Sequence, residues 1–482
     1  MHFAIIAKVV GILLMLFSLT LLPPILVSLW YGDGAYGSFI LAFGITFSTG
    51  LMAWLPVYNI REDLSTRDGF LITSLFWTVL ALFGSLPLIL ADATQMTVVD
   101  AVFESLSGLS TTGATVLTGL DHLPRSILMY RQQLQWLGGI GIIVIAVAVL
   151  PMLGVGGMQL YRAETPGPIK DSKLTPRITE TAKALFLIYL SLTVCCALAY
   201  WLAGMPVFEA IGHSFSTVAI GGFSTHDQSI GYYDSYAIMI VCTVFMILSG
   251  VNFALHFFAW QHRGLKHYFN DPEFRFYIAM LALGMLITVG YLYLSATYGA
   301  EESLILGVFE LVSILTTTGF GVADFSVWPT FLPYLIFLFA FMGGCAGSTG
   351  GGIKMIRVLL IIKQGLREIH RLIHPNAVIP IKIGKKTVSD RVIEAVWGFF
   401  AAYVVAYLFM FLALLATGLD FESAFTAVGA CINNLGPGLG KVAGHYGDIS
   451  STAKWILCFA MLLGRLEVFT LLVLFTPMFW RR

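Results

Sequence analysis

Ten apolar stretches, near residues 3–30, 36–57, 69–91, 127–152, 181–203, 235–260, 273–296, 330–363, 391–417 and 451–478, dominate this chain. A helix needs about 20 apolar residues to cross the hydrocarbon core of a bilayer, and each stretch supplies them. Backbone polar groups in lipid must be satisfied inside the protein, so the expected class is an all-α polytopic membrane protein. Charge content agrees: 11% of residues are charged, under half of the roughly 25% usual for soluble domains. Lys plus Arg and Asp plus Glu number 27 each, so the basic excess of a nucleic-acid binder is missing. The six cysteines lie in apolar stretches without a CxxC pair and read as small buried hydrophobes. No nucleophile, base and orienting acid converge, so an enzyme is not expected. The run from Val9 to about Trp30 is too long for a signal-peptide core and reads as a retained span.

Lys and Arg mark the cytoplasmic side. Arg61, Arg67, Arg162, Lys170, Lys173, Arg177, Arg263, Lys266, the basic residues from Lys363 to Lys386, Arg481 and Arg482 share one side, which puts both termini in the cytoplasm. Only Arg125, Arg131, Lys441 and Lys454 fall on or near the other side. That outer side carries Asp92, Asp100, Asp121, Asp227, Asp234, Glu301, Glu302, Asp324, Asp420 and Asp448. Two readings fit these acids: a solvated rim, or a vestibule that concentrates cations.

Four shorter apolar stretches, near 98–112, 206–219, 303–318 and 420–434, are too short to cross and too apolar for loops. Re-entrant segments are expected, buried by protein or lining water. Each begins with the same pair: Phe103-Glu104, Phe208-Glu209, Phe309-Glu310 and Phe421-Glu422. Each ends in a glycine-bearing turn: Thr112-Gly113-Ala114-Thr115, Ile220-Gly221-Gly222-Phe223, Thr318-Gly319-Phe320-Gly321 and Leu435-Gly436-Pro437-Gly438. The expected unit is span, short pore helix, filter turn, span (M1-P-M2). Four units around one pseudo-fourfold pore would follow two extra N-terminal spans. The expected divisions are 1–60, 61–165, 166–265, 266–385 and 386–482.

Such turns suit a dehydrated cation, because rings of backbone carbonyls replace its water without adding formal charge. Short helices aimed inward would add the partial negative charge of their C-terminal ends. Glu104, Glu209, Glu310 and Glu422 are expected near the opposite ends, stabilising the helix dipoles. Thr111, Thr112, Thr317 and Thr318 could add hydroxyl oxygens to the filter or serve as helix-end packing.

With its extra N-terminal pair, this arrangement resembles the TrkH/KtrB (Trk/Ktr/HKT) potassium transporter family, on the TrkH side, over essentially the whole chain. The resemblance implies a potassium filter at Thr111, Thr112, Gly113, Ile220, Gly221, Thr317, Thr318, Gly319, Leu435 and Gly436, with Gly113, Gly221, Gly319 and Gly436 as the common glycines. Four unlike strands, one containing Pro437, imply less than stringent rejection of sodium. The resemblance also implies a homodimer in the bacterial cytoplasmic (inner) membrane, docked on a cytosolic TrkA-like ring of RCK type. Any nucleotide would bind that partner, and no cofactor is expected in this chain. The basic segments 162–177 and 357–391 are candidate docking surfaces or anionic-lipid contacts.

The run Gly343-Gly344-Cys345-Ala346-Gly347-Ser348-Thr349-Gly350-Gly351-Gly352 cannot form a stable helix. A phosphate-binding loop is excluded, since no Ser or Thr follows Lys354 and no βα unit surrounds it. Close helix packing through small residues remains open; the resemblance implies a gate loop. Arg465, an ionisable residue in the last span, is expected to donate to carbonyls of 345–351 and hold the gate closed. Lys354 is expected to snorkel to the cytoplasmic face. His370 and His374 read as a polar interfacial face, His213 as hydrogen-bonded packing, and Gly138-Gly139-Ile140-Gly141 as helix packing. The leading function is channel-like potassium uptake driven by membrane potential, worth about 2.3 kcal/mol per charge per 100 mV. The alternative is a proton- or sodium-coupled symporter, although such transporters usually carry two-fold inverted repeats.

Overall fold

The computed structural model describes residues 2–60, 65–141 and 178–481. Arg61, segment 162–177 and the end of the stretch 127–152 lie outside the described residues. Among the described residues six helices are long and apolar enough to cross a bilayer: Phe3–Tyr31, Tyr36–Val57, Arg67–Leu90, Lys183–Leu202, Pro272–Leu294 and Asp390–Ala416. Two further candidates are sharply bent. Tyr236–Ser249 meets Phe253–Gln261 at 92°, and Ser451–Arg465 meets Phe469–Phe475 at 109°. The second bend falls where Glu467 and Val468 both take positive φ, 51° and 58°. The stretch 330–363 is interrupted as its glycines require, into Leu332–Phe339 and Met355–Ile373 with the run between them. A short antiparallel hairpin, Lys382–Ile383 with Lys386–Thr387, departs from the all-helical expectation.

The four short segments are helices as expected: Val98–Leu109, Val207–Val218, Ala300–Leu315 and Phe421–Ile432. The first and fourth have side-chain N-caps. Thr97 accepts from the Asp100 N–H, and Asp420 accepts from the Ser423 N–H, contacts that satisfy amides the helix cannot. The buried apolar residues form two main bodies. One joins the N-terminal helices to the first and fourth short helices through Val9, Phe39, Phe103, Tyr130, Val428 and Leu457. The other joins the second and third through Tyr189, Cys242, Phe309, Leu315 and Ile336. Gly11 and Gly50 cross so closely that a methyl on either would meet the other's carbonyl oxygen at 2.7 Å, a small-residue crossing suited to membranes.

Candidate functional site

All four short helices end in one backbone pattern. Thr111, Ile220, Thr317 and Asn434 donate to carbonyls three residues back: Gly108, Thr217, Ile314 and Cys431. The next residues, Thr112, Gly221, Thr318 and Leu435, donate five back, each at 2.8 Å, to Ser107, Ser216, Ser313 and Ala430. Thr111, Ile220, Thr317 and Asn434 all take positive φ, between 52° and 66°. Three of them are β-branched, for which that conformation costs most. Strain of about 1–3 kcal/mol per such residue persists only where the surroundings enforce it, and it clusters at functional sites.

This pattern corrects the expected common glycine of the second turn. The residue matching Gly113 and Gly319 in the second turn is Gly222, not Gly221. Gly113, Gly222 and Gly319 share φ values of 80°, 79° and 83°. Gly436 holds the fourth place without a positive φ; Pro437 behind it biases it towards extended backbone. The four turns meet in a closed cycle. A methyl on Gly113 would overlap the Gly221 carbonyl oxygen, and one on Gly222 the Thr318 carbonyl oxygen. On Gly319 it would meet Pro437 Cδ at 2.7 Å, and on Gly436 the Gly113 carbonyl oxygen at 2.6 Å.

The Phe-Glu pairs are not in equivalent places, and this corrects the role expected for two glutamates. Glu209 and Glu422 lie in the first turns of their helices. Glu104 and Glu310 lie beyond the midpoints and brace the strand leaving the turn. Glu104 accepts from the Val116 N–H at 2.9 Å and from Arg131, with both side chains almost fully buried. Glu310 accepts from the Val322 and Ala323 N–H groups at 2.7 and 2.9 Å. In the fourth unit Thr426 Oγ1 accepts from the Leu439 N–H at 2.9 Å. In the second, His213 Nε2 pairs with Ser224 Oγ at 2.9 Å while Nδ1 contacts the Glu209 carbonyl, which is packing as expected.

The four threonine hydroxyls find protein partners. Thr111 Oγ1 accepts from Arg465 at 3.4 Å, and Thr112 Oγ1 from Asn434 at 3.1 Å. Thr317 Oγ1 accepts from the Gly351 N–H at 2.7 Å, and Thr318 pairs with Thr316. Helix-end bracing is the role this geometry gives them.

The glycine run packs against the C-terminal ends of three of the short helices. Thr349 Oγ1 donates to the Val218 carbonyl at 2.9 Å, Gly351 donates to Thr317, and the Gly352 N–H donates to the Asn433 carbonyl at 3.0 Å. A methyl on Gly351 would overlap the Asn433 carbonyl. Cys345 donates to the Gly250 carbonyl at 2.8 Å, and Gly347 accepts from Phe253 at 3.0 Å, so the run also plugs the bend between Ser249 and Phe253. Arg465 attends the first turn. Among the hydrogen bonds of the described residues it donates to the carbonyls of Gly138 and Gly139 and to Thr111, where bonding to the carbonyls of 345–351 was expected. Lys354 instead supplies a cation to the run, donating to the Gly350 carbonyl, so its snorkelling role is corrected too. Glu273 was not picked out by sequence reasoning. Its buried carboxylate accepts from Ala346 at 2.7 Å and Ile356 at 3.0 Å, pinning both ends of the segment. The acidic start Asp271-Pro272-Glu273 was its only signal.

Elsewhere the glycines at 138 and 139 pack tightly, against Leu109 and Tyr189. Cys195 is exposed rather than buried; the other five cysteines are buried. His370 and His374 are exposed. The outer acids are mostly exposed, and four lie against basic side chains: Asp100 against Lys454 at 2.6 Å, Asp121 against His226, Asp420 against Lys441 at 3.6 Å and Asp448 against His445 at 3.9 Å.

Residues 37–482 match the family model TrkH, described as cation transport protein. The chain is 61% identical to the Trk system potassium uptake protein TrkH of Halomonas elongata, and 55% identical to that of Escherichia coli K12, over the full length of each chain. It superposes on the crystal structure of the potassium transporter TrkH from Vibrio parahaemolyticus with a TM-score of 0.91 and 53% identity, again over all of both chains. The chain belongs to the TrkH family of cation transport proteins.

Proposed function

We propose that this protein takes up potassium across the bacterial cytoplasmic membrane through a carbonyl-lined filter formed by its four turns. The observation that carries the reading is the cycle of close approaches through Gly113, Gly222, Gly319 and Gly436, each turn touching the next. Four M1-P-M2 units, at 61–165, 166–265, 266–385 and 386–482, would surround one pore, with 1–60 as an added pair and both termini cytoplasmic. The filter residues are Thr111, Thr112, Gly113, Ile220, Gly221, Gly222, Thr317, Thr318, Gly319, Leu435 and Gly436, with Gly222 replacing Gly221 as the common glycine.

Residues 343–352 and Arg465 form the gate. The run takes up carbonyls at the ends of the second and fourth short helices, where the helix dipoles would otherwise favour a cation. Arg465 sits at the first turn, where its positive charge would repel one. Opening therefore requires the run to leave three helix ends. A TrkA-like nucleotide-binding ring on the cytosolic side of a homodimer would supply that work. The ion is driven by membrane potential and held by carbonyl oxygens alone.

The test is rubidium uptake into proteoliposomes under an imposed voltage, with and without a proton gradient, for wild type and Gly113→Asp. Voltage-driven uptake indifferent to the proton gradient and lost in the variant is expected. Uptake that required the proton gradient would replace the channel by a symporter. Gly351→Ala, whose methyl the Asn433 carbonyl leaves no room for, should raise uptake in the absence of the cytosolic partner.

A further inference from the structure

One turn is held differently from the others. The helix Arg125–Trp136 presents an unusual polar face, Arg131-Gln132-Gln133-Leu134-Gln135, with Arg131, Gln132 and Gln135 almost fully buried. Gln135 Nε2 donates to the Gly221 carbonyl at 2.6 Å, and Gln135 Oε1 accepts from the Phe223 N–H at 3.0 Å. Its amide therefore brackets Gly222 on both sides, as a neighbouring strand would. Beyond it, Gln132 donates to the Phe223 carbonyl at 3.2 Å and Arg131 to the Ser224 carbonyl at 3.1 Å. Two glycines make room for this ladder. A methyl on Gly221 would overlap the Gln135 amide, and one on Gly212 would overlap Gln132. The first glycine of Ile220-Gly221-Gly222-Phe223 thus has its own cause: Gly222 serves the turn, and Gly221 gives the amide its space.

The consequence concerns the four carbonyls at the level of Thr112, Gly221, Thr318 and Leu435. Among the hydrogen bonds of the described residues, only the Gly221 oxygen accepts a donor at this level. Selectivity between cations depends on the number and field strength of the coordinating carbonyls. A carbonyl that shares its charge with an amide contributes a weaker field, and one that is pinned cannot swing to follow a smaller ion. We propose that Gln135 is a positioning residue for ion selectivity: its amide fixes the second filter strand and so sets potassium over sodium discrimination. The inference rests on the filter reading above.

The test reads ion binding directly, so a closed gate does not affect it. Full-length protein in detergent is titrated with potassium and, separately, with sodium, and thermal stabilisation by each ion gives its half-effect concentration. In wild type potassium should act at lower concentration than sodium. In Gln135→Leu the sodium-to-potassium ratio of half-effect concentrations should fall at least about fivefold, the size expected of one lost buried hydrogen bond. Gln135→Glu keeps the acceptor for Phe223 and loses the donor to Gly221, so it should fall between. Gln133→Leu, on the same helix but directed at the Thr20 carbonyl, should match wild type. A folded Gln135→Leu or Gln135→Glu with the wild-type ratio would overturn the proposal. So would failure of both to fold, which would make the amide a packing element. Gly113→Asp separates the two ideas. If it leaves the ratio intact, the filter reading itself fails. If it abolishes potassium stabilisation while the Gln135 variants behave as wild type, only the role of Gln135 fails.

Discussion

The first and third turns are braced by a glutamate nine residues before their glycine; the second and fourth reach the same backbone without one. Glu104 holds Val116, and Glu310 holds Val322 and Ala323. In the fourth unit Thr426 holds Leu439, and in the second His213 holds Ser224. The invariant is the set of recurring bonds from the residues after each helix end, while Gly436 departs from the positive φ of the other three glycines. What recurs is the need to satisfy amides in a strand buried away from water, where an unpaired N–H costs about 1–3 kcal/mol. Carboxylate and hydroxyl meet it directly, and the His213 imidazole acts through the Ser224 hydroxyl, which accepts from the His226 N–H.

The largest effect is expected at the first brace. Glu104 is paired with Arg131 at 2.8 Å, and both side chains are at most 1% exposed. Glu104→Gln keeps an acceptor for Val116 but strands a buried guanidinium, so a loss of about 3–5 kcal/mol is expected. Glu310 receives two amide N–H groups and, among the described residues, no cation forms an ion pair with it. Glu310→Gln should therefore cost about 1 kcal/mol or less, since an amide oxygen can still accept both bonds. Thermal unfolding of the purified protein in detergent would rank the pair. Equal losses would mean that the charge of Glu104 does not matter to its brace.

A smaller effect is expected in the fourth unit. Thr426 accepts from Leu439 and donates to its own helix at the Glu422 carbonyl, 2.8 Å away. Thr426→Val is close in shape and removes the acceptor, leaving the Leu439 N–H unpaired at a cost of about 1–3 kcal/mol. Hydrogen exchange at Leu439 should rise in this variant while exchange at Val322 stays put. A rise at both would mean the four turns are not braced independently.

These comparisons also show what the sequence made legible. Among the described residues six of the ten expected spans followed from apolar length, the four turns from recurrence, and the break at 343–352 from glycine content. Register within the turns did not follow. The Phe-Glu pair marks the middle of two helices and the first turn of the other two, and nothing in the pair itself separates these cases. Two consecutive glycines left the second turn ambiguous. The feature that resolves them, the Gln135 amide over Gly221, comes from 86 residues earlier in the chain. Arg465 was recognisable as a charge within an apolar span, in need of acceptors. Which carbonyls supply them depends on where the helix after Trp136 opens into the wider turn Leu137–Gly141, and local sequence does not set that.

The smallest effect lies where the displaced glutamate of the second unit has gone. Glu209, free of any bracing task, accepts from Tyr233 at 2.6 Å and lies 3.5 Å from His226, whose other nitrogen meets Asp121. Tyr232 stacks on the same ring with centroids 3.5 Å apart. Burial works against protonating His226, but its bonds to Glu209 and Asp121 outweigh that and raise its pKa above the ordinary histidine value. A raised folded-state pKa contributes stability that is fully present below the unfolded value, near 6.5, and is lost as pH rises through the folded value. The contribution should be about 1 kcal/mol or less, since Asp121 is partly open to solvent. Thermal stability should thus fall as pH is raised from about 6 to 8, and His226→Gln should flatten that slope without changing stability at the alkaline end. Because Asp121 follows the first turn and Glu209 belongs to the second, this contact adds to the links that Arg131 and Asp227 already make between them. An unchanged slope in His226→Gln would place the pH dependence elsewhere.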